Sequence, residues 1–173
     1  MTCRRPVSKL RFVITSQQSL VEPNPEGTLE ERALARLIAN RRTGYDPFYK
    51  VQYEYSIPSQ GRYHWQWFWD SCFHIIALAR LNPAMAVAEL DSLLTPQQVN
   101  GFIGHLTYWG RRGAVMSAFY GQSRFGEWRR RHSGMIQPPV LAHALEELWL
   151  RTGDIKLLST YLPRVRAYYN WLS

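Results

Sequence analysis

Tyr63-His64-Trp65-Gln66-Trp67-Phe68-Trp69-Asp70-Ser71 is the stretch on which the reading of this chain turns. Aromatic rings and one carboxylate crowd together just ahead of a helical pattern carried by Cys72, Phe73, Ile75 and Ile76. A hydrophobic core can bury rings, but it has little use for an acid beside them. A sugar site uses both. Flat rings pack against the apolar C–H face of a pyranose, and a carboxylate accepts hydrogen bonds from its hydroxyls. The plainer alternative is an aromatic-rich turn in which Asp70 serves only as the N-cap of the following helix.

Outward from this stretch the pattern is helical. Upstream, Thr28-Leu29-Glu30-Glu31 has the form of a capping box, followed by Leu29, Ala33, Leu37 and Ile38 at helical spacing and a stop at Gly44. Residues 45–61 read as irregular, broken by Pro47, Pro58 and Gly61. Downstream, a helix from Asp70 carries Phe73, Ile76, Ala77 and Leu81. After Asn82-Pro83 another carries Met85, Ala88, Leu90, Leu93 and Leu94. Residues 97–125 are mixed and rich in glycine. A fourth helix is expected over Pro138–Arg151, with a proline in its first turn. Thr152-Gly153-Asp154 combines a glycine stop with an aspartate N-cap. A fifth helix then carries Ile155, Leu158, Tyr161, Leu162, Val165, Tyr168, Tyr169 and Leu172, with a kink expected at Pro163. The expectation is an all-α chain of helical hairpins with long loops between them. Residues 1–27 form an N-terminal extension.

Composition narrows the function classes. The chain has 173 residues, 46% of them hydrophobic and 20% charged, which suits one globular domain. Eleven of the 24 aromatic rings fall between Tyr45 and Phe73, so that region is set apart from the rest. The two cysteines, Cys3 and Cys72, are far apart and form no metal spacing. No His/Cys/Asp cluster has ligand spacing, so neither a metal nor a cofactor is expected. No stretch has the length and apolarity of a membrane span or an export signal, and a cytoplasmic protein without a membrane partner is expected. The formal charge of +8 raises nucleic acid as a partner. The basic residues instead fall in short clusters, Arg4-Arg5, Arg41-Arg42, Arg111-Arg112 and Arg129-Arg130-Arg131, without a nucleic-acid-binding motif. They read as solvated faces, and no nucleic-acid partner is expected.

Trp67-Phe68-Trp69-Asp70-Ser71-Cys72-Phe73-His74 resembles the Trp-x-Trp-Asp-Ser-x-Phe segment of glycoside hydrolases with an (α/α)6 barrel, in the mannosylglycerate-hydrolase-like and glucosidase-I-like group. Two more segments resemble the same group in the same order. One runs from Gln98 to Trp109 and the other from Ser133 to Ala142. The resemblance covers residues 28–173, with Gly104 standing where the family pattern has proline. It implies an incomplete (α/α)6 toroid and an inverting hydrolase acting on a small α-mannosyl or α-glucosyl substrate. It assigns Trp69 and Asp70 to the sugar to be cleaved, Tyr63 and Trp67 to the lining of the same pocket, and Gln137 to its hydroxyls. His105, Tyr108 and Trp109 fall to the neighbouring subsite. The residues alone leave plainer roles open: Trp67 and Trp109 as core rings, His105 as a structural histidine, and Gln137 as the cap of the following helix.

Glycoside hydrolysis needs two carboxyl groups flanking the bond. The resemblance places both downstream of the Gln-Pro-Pro segment, so no catalytic residue is assigned in this chain, and the chain alone is expected to be inactive. Its last residues, Tyr168-Tyr169-Asn170-Trp171-Leu172-Ser173, stop within an apolar-periodic helix, which suggests part of a longer protein. Among the remaining carboxylates, Asp46, Glu54 and Glu127 sit in irregular segments where a cleft could form. Two alternatives stay beside the hydrolase reading: a non-catalytic carbohydrate-binding remnant, and a basic helical interaction module.

Overall fold

A computed structural model describes residues 27–120, 126–127 and 131–173. Residues 1–26 of the expected N-terminal extension, with Cys3 and Arg4-Arg5, and Arg129-Arg130 lie outside the described residues, as does the side chain of Glu127.

Helix α1 (Leu29–Ala39) begins as its sequence requires. Thr28 Oγ1 accepts the N–H of Glu31 at 3.2 Å, and the Glu31 carboxylate accepts the N–H of Thr28 at 2.9 Å. The helix ends at Asn40, four residues before the expected stop at Gly44. Gly44 sits instead in a strand, because 41–56 is not irregular. It folds as an antiparallel hairpin of β1 (Arg41–Asp46) and β2 (Val51–Ser56), paired from Arg41↔Ser56 to Asp46↔Val51. Two devices close the turn. Asp46 Oδ1 accepts the N–H groups of Phe48 and Tyr49 at 2.8 and 3.1 Å, and Lys50 takes a left-handed φ of 58°. Gly44 pairs with Tyr53, whose ring lies over it; a Cβ at Gly44 would stand 2.5 Å from the Tyr53 hydroxyl. The all-α expectation is corrected to a helix-rich chain that also carries short strands.

Strand β3 (Gln66–Trp67) leads directly into α2 (Phe68–Leu81). Asn82 then ends α2 and caps α3 (Pro83–Leu94), its side chain accepting the N–H of Met85 at 3.2 Å. Strand β4 (Leu106–Thr107) and α4 (Gly110–Tyr120) follow, then β5 (Gly126–Glu127) and β6 (His132–Ser133). Helix α5 (Leu141–Thr152) starts three residues later than Pro138, since each proline in Pro138-Pro139 biases the residue before it away from helical geometry. Gly153 at φ 63° and the Asp154 cap separate α5 from α6 (Ile155–Leu172), which is continuous through Pro163. One core joins these helices. Phe68, Cys72, Ile75 and Leu78 of α2 pack with Leu90, Leu93 and Leu94 of α3, Leu141, Leu145 and Leu148 of α5, and Val165 and Tyr168 of α6. Helix α2 packs against both α3 and α5, so its N-terminus is held by the centre of the fold.

Candidate functional site

The three motif-bearing segments meet in one small sheet of order β3-β4-β6-β5. Gln66 pairs with Thr107 and Trp67 with Leu106, while Thr107 also pairs with His132. Residues 39 to 68 positions apart are thus gathered at the N-terminus of α2.

That N-terminus has no local side-chain cap. Trp67 occupies the cap position in extended geometry, with φ −99° and ψ 134°. Asp70 is therefore not the N-cap; it lies within the first turn. Helix starts leave N–H groups without intrahelical partners. Here the remote segments supply them: Phe68 N–H donates to the His105 carbonyl at 2.9 Å, and Trp69 N–H donates to Gln137 Oε1 at 3.0 Å. Gln137 thus caps α2, not the helix that follows it. Its NH2 group keeps two donors for other partners.

Around this point Trp67 lies edge-on to Tyr63 on one side and to His105 on the other, with centroids 5.6 and 5.5 Å away. Trp69 is 39% exposed and tilts against Phe73, itself 52% exposed, at 6.1 Å. The His105 ring is fixed through Nδ1 by the Ser133 hydroxyl, and its backbone N–H donates to the Met135 carbonyl at 2.7 Å. Burial pulls the His105 pKa below 6.5, partly offset by a hydrogen bond of the ring to the Met135 backbone. Asp70 is half-buried, and burial pushes its carboxyl above 3.8. His74, one helical turn away, pulls in the opposite direction.

Tyr63, Trp67, Trp69, Asp70, His105 and Gln137 thus come together. Tyr108 and Trp109 do not join them. Trp109 stacks on Tyr53 at 5.1 Å, and its indole N–H donates to Gln66 Oε1 at 2.8 Å, within a second aromatic cluster with Tyr55 and Ile57. Tyr108 is buried edge-on to Trp65 at 5.6 Å.

The carboxylates divide sharply. Asp46 does not face a cleft: it is fully buried, and its second oxygen accepts the N–H of Gly110 at 2.7 Å with Arg131 3.8 Å away. Glu54 pairs with Arg41. Glu89 is also fully buried, accepting the N–H of Ser56 at 3.0 Å and lying 3.1 Å from His74 Nδ1. Glu31 and Asp154 cap helices, Asp91 accepts the Tyr161 hydroxyl, and Glu30, Glu146 and Glu147 lie beside Arg80, His143 and Arg151. Among the described residues, Asp70 is the acid set among the aromatic rings at the start of α2. Glu89 and Ser133 were missed as supporting residues. Glu89 occupies an apolar helix position in α3, which gives no clue to a polar partner, whereas Ser133 opens a motif-bearing segment.

A helix-rich fold with its motif loops gathered at one helix N-terminus is the class of protein this structure defines. The same fold occurs in the crystal structure of the GH63 mannosylglycerate hydrolase from Thermus thermophilus in complex with Tris and D-glycerate. That match has a TM-score of 0.65 and 24% identity, over 84% of this chain and 33% of that one. The chain belongs to the family of the mannosylglycerate hydrolase MGH1-like glycoside hydrolase domain, whose family model matches residues 63–173. Among curated relatives, mannosylglycerate hydrolase MGH2 of Selaginella moellendorffii is 28% identical over 68% of this chain and 25% of its own length. The mannosylglycerate hydrolase of Thermus thermophilus is 29% identical over 68% and 30%. The glucosylglycerate hydrolase of Mycolicibacterium hassiacum is 36% identical over 50% and 20%. The chain spans between a fifth and a third of the length of these relatives.

Proposed function

We propose that this chain supplies the sugar-binding part of an inverting glycoside hydrolase whose substrate is a small α-mannosyl or α-glucosyl compound, with a glycerate-linked hexose as the first candidate. The observation that supports this reading most is the convergence of Trp69, Asp70, Trp67, His105 and Gln137 at the start of α2. In this reading Trp69 offers its exposed ring to the apolar face of the hexose. Asp70 accepts from its hydroxyls, and the Gln137 amide donates to them. Tyr63 and Trp67 wall the pocket, and the neutral His105, held by Ser133, lines its far side.

Hydrolysis with inversion requires an acid and a base roughly 6.5–9.5 Å apart, with water between the base and the anomeric carbon. Among the described residues the carboxylate that acts on Asp70 is Glu89, which is buried and committed to the Ser56 N–H and His74, so it is not placed to hold a water against a sugar. The chain alone therefore binds sugar without cleaving it, and the helices belong to an incomplete (α/α)6 toroid. Calorimetry with mannosylglycerate and glucosylglycerate on the purified chain tests this. Binding that Asp70→Asn weakens about tenfold, without turnover, is the expected result; the loss corresponds to about 1.4 kcal/mol. Turnover abolished by Asp70→Asn would show a catalytic chain, and no binding of either sugar would remove the carbohydrate reading.

A further inference from the structure

A cavity of about 730 Å³ lies between the β1–β2 hairpin and the start of α4, apart from the Asp70 cluster. Its lining includes Tyr53, Trp65 and Trp109 with Arg42, Arg111 and Arg112, and among the described residues no carboxylate lines it. Arg42 and the Arg111-Arg112 pair, far apart in sequence, are brought to one cavity. Arg41 is neutralised by Glu54, while Arg111 and Arg112 are exposed and form no ion pair with a described residue. Both stand in the first turn of α4, which carries no acid. The N-terminus of α4 is itself capped by the buried Asp46 carboxylate through the Gly110 N–H, so the positive charge facing the cavity comes from the arginines rather than from the helix dipole.

The floor is rigid. Trp109 is anchored through its N–H to Gln66 and stacks on Tyr53 at 5.1 Å with 24° between planes. The cavity lining and the Asp70 cluster share no residue. Gln66 reaches toward Trp109, whereas Trp67 packs on Tyr63 and His105. The volume falls within the range of about 300–1,000 Å³ typical of small-molecule sites.

We infer that this cavity is a second binding site, independent of the hydrolase reading, for a sugar ring bearing an oxyanion. The ring lies on the aromatic floor, and Arg42, Arg111 and Arg112 hold the oxyanion. Guanidinium forks match phosphate and carboxylate equally in geometry, so both a phosphate ester and a uronic acid satisfy the site.

Calorimetry on the full chain with glucose 6-phosphate, glucuronate, glucose and inorganic phosphate tests it. At least one charged sugar should bind about tenfold or more tighter than both glucose and inorganic phosphate, and which one identifies the source of the oxyanion. Arg111→Ser/Arg112→Ser should lose that affinity about tenfold, while Asp70→Asn should leave it within about twofold. Both arginines are exposed, and an unchanged melting curve certifies the fold of the double variant. Should that variant melt early, Val115→Glu, which places an anion in the wall, should produce the same loss. Equal binding of phosphate and sugar phosphate, an unchanged affinity in both arginine-site variants, or a short single-stranded oligonucleotide binding tighter than either sugar would each overturn the inference. So would loss of the affinity in Asp70→Asn, because it would place the ligand in the other site.

Discussion

Gln137 and Trp69, 68 residues apart, are joined by a hydrogen bond from the Trp69 backbone N–H to the Gln137 side-chain oxygen at 3.0 Å. That bond makes the start of α2 depend on a loop that precedes α5. It also orients the Gln137 amide so that its oxygen is committed and its N–H groups are not. Stability and ligand recognition are therefore separable at this one residue.

Gln137→Ala should cost about 1 kcal/mol of stability, as loss of an N-cap does, and should weaken sugar binding as well. Gln137→Glu keeps the acceptor and adds negative charge near a helix N-terminus, so it should hold stability while losing the donors to the sugar. Urea denaturation and calorimetry on both variants separate the two effects. Equal loss of stability in the two would show that the cap is not what Gln137 provides.

Asp70 leads to a prediction about pH. Its carboxyl is raised above 3.8, chiefly by burial, so the folded chain binds more protons than the unfolded one between that value and the folded pKa. Stability must then fall as pH rises through that window and stay lower above it. Asp70→Asn removes the penalty. The variant should be more stable than the parent at pH 7, with the advantage shrinking as pH is lowered toward 3.8. A variant less stable than its parent at pH 7 would contradict this. A charge kept at a net cost to the fold is what a binding residue would show.

Much of the scaffold was legible in the chain because its signals were local. The Thr28–Glu31 box and the Gly153-Asp154 junction are satisfied within a few residues, and they appear where the sequence places them. The hairpin was missed because Pro47, Pro58 and Gly61 dominated the reading of 45–61. The alternation Val51, Tyr53, Tyr55 against Gln52, Glu54, Ser56 was nevertheless present, and the turn chemistry rests on Asp46 and Lys50. The gathering of Tyr63, Trp67, His105 and Gln137 follows the order of the motifs. The division between Trp67 and Trp109 does not, since it depends on which side of a two-residue strand each neighbour occupies.

Glu89 ties α3 to the hairpin and to α2 at once, through the Ser56 N–H and His74. Glu89→Ala would leave both groups without their acceptor in a site closed to water and open a cavity beside them. A loss of about 3 kcal/mol in chemical denaturation is expected. Glu89→Gln retains an acceptor and the volume and should lose about 1 kcal/mol. Similar losses for the two would mean that the carboxylate charge, which both variants remove, sets the cost rather than volume or a retained acceptor.

Gly101 supports the site from a distance. It holds φ at +96°, and a Cβ there would collide with the Ala167 carbonyl oxygen of α6. The loop that delivers His105 is therefore pressed against α6 by the absence of a side chain. Nearby, the amide of Gln97 reinforces that contact by donating to the Gly101 and Arg164 carbonyls at 3.1 and 2.8 Å. Gly101→Ala adds left-handed strain of about 1–3 kcal/mol to a steric clash that only displacement of the loop or of α6 can relieve. The variant should lose at least about 2 kcal/mol in denaturation. Because the 97–104 loop leads into His105, it should also weaken sugar binding without any direct contact to the ligand. Gly61→Ala is the control: that glycine also has positive φ, at +83°, but nothing lies within 4 Å of its added Cβ. It should show the backbone strain alone and leave affinity unchanged. Equal effects of the two on affinity would mean that loop packing against α6 does not position His105.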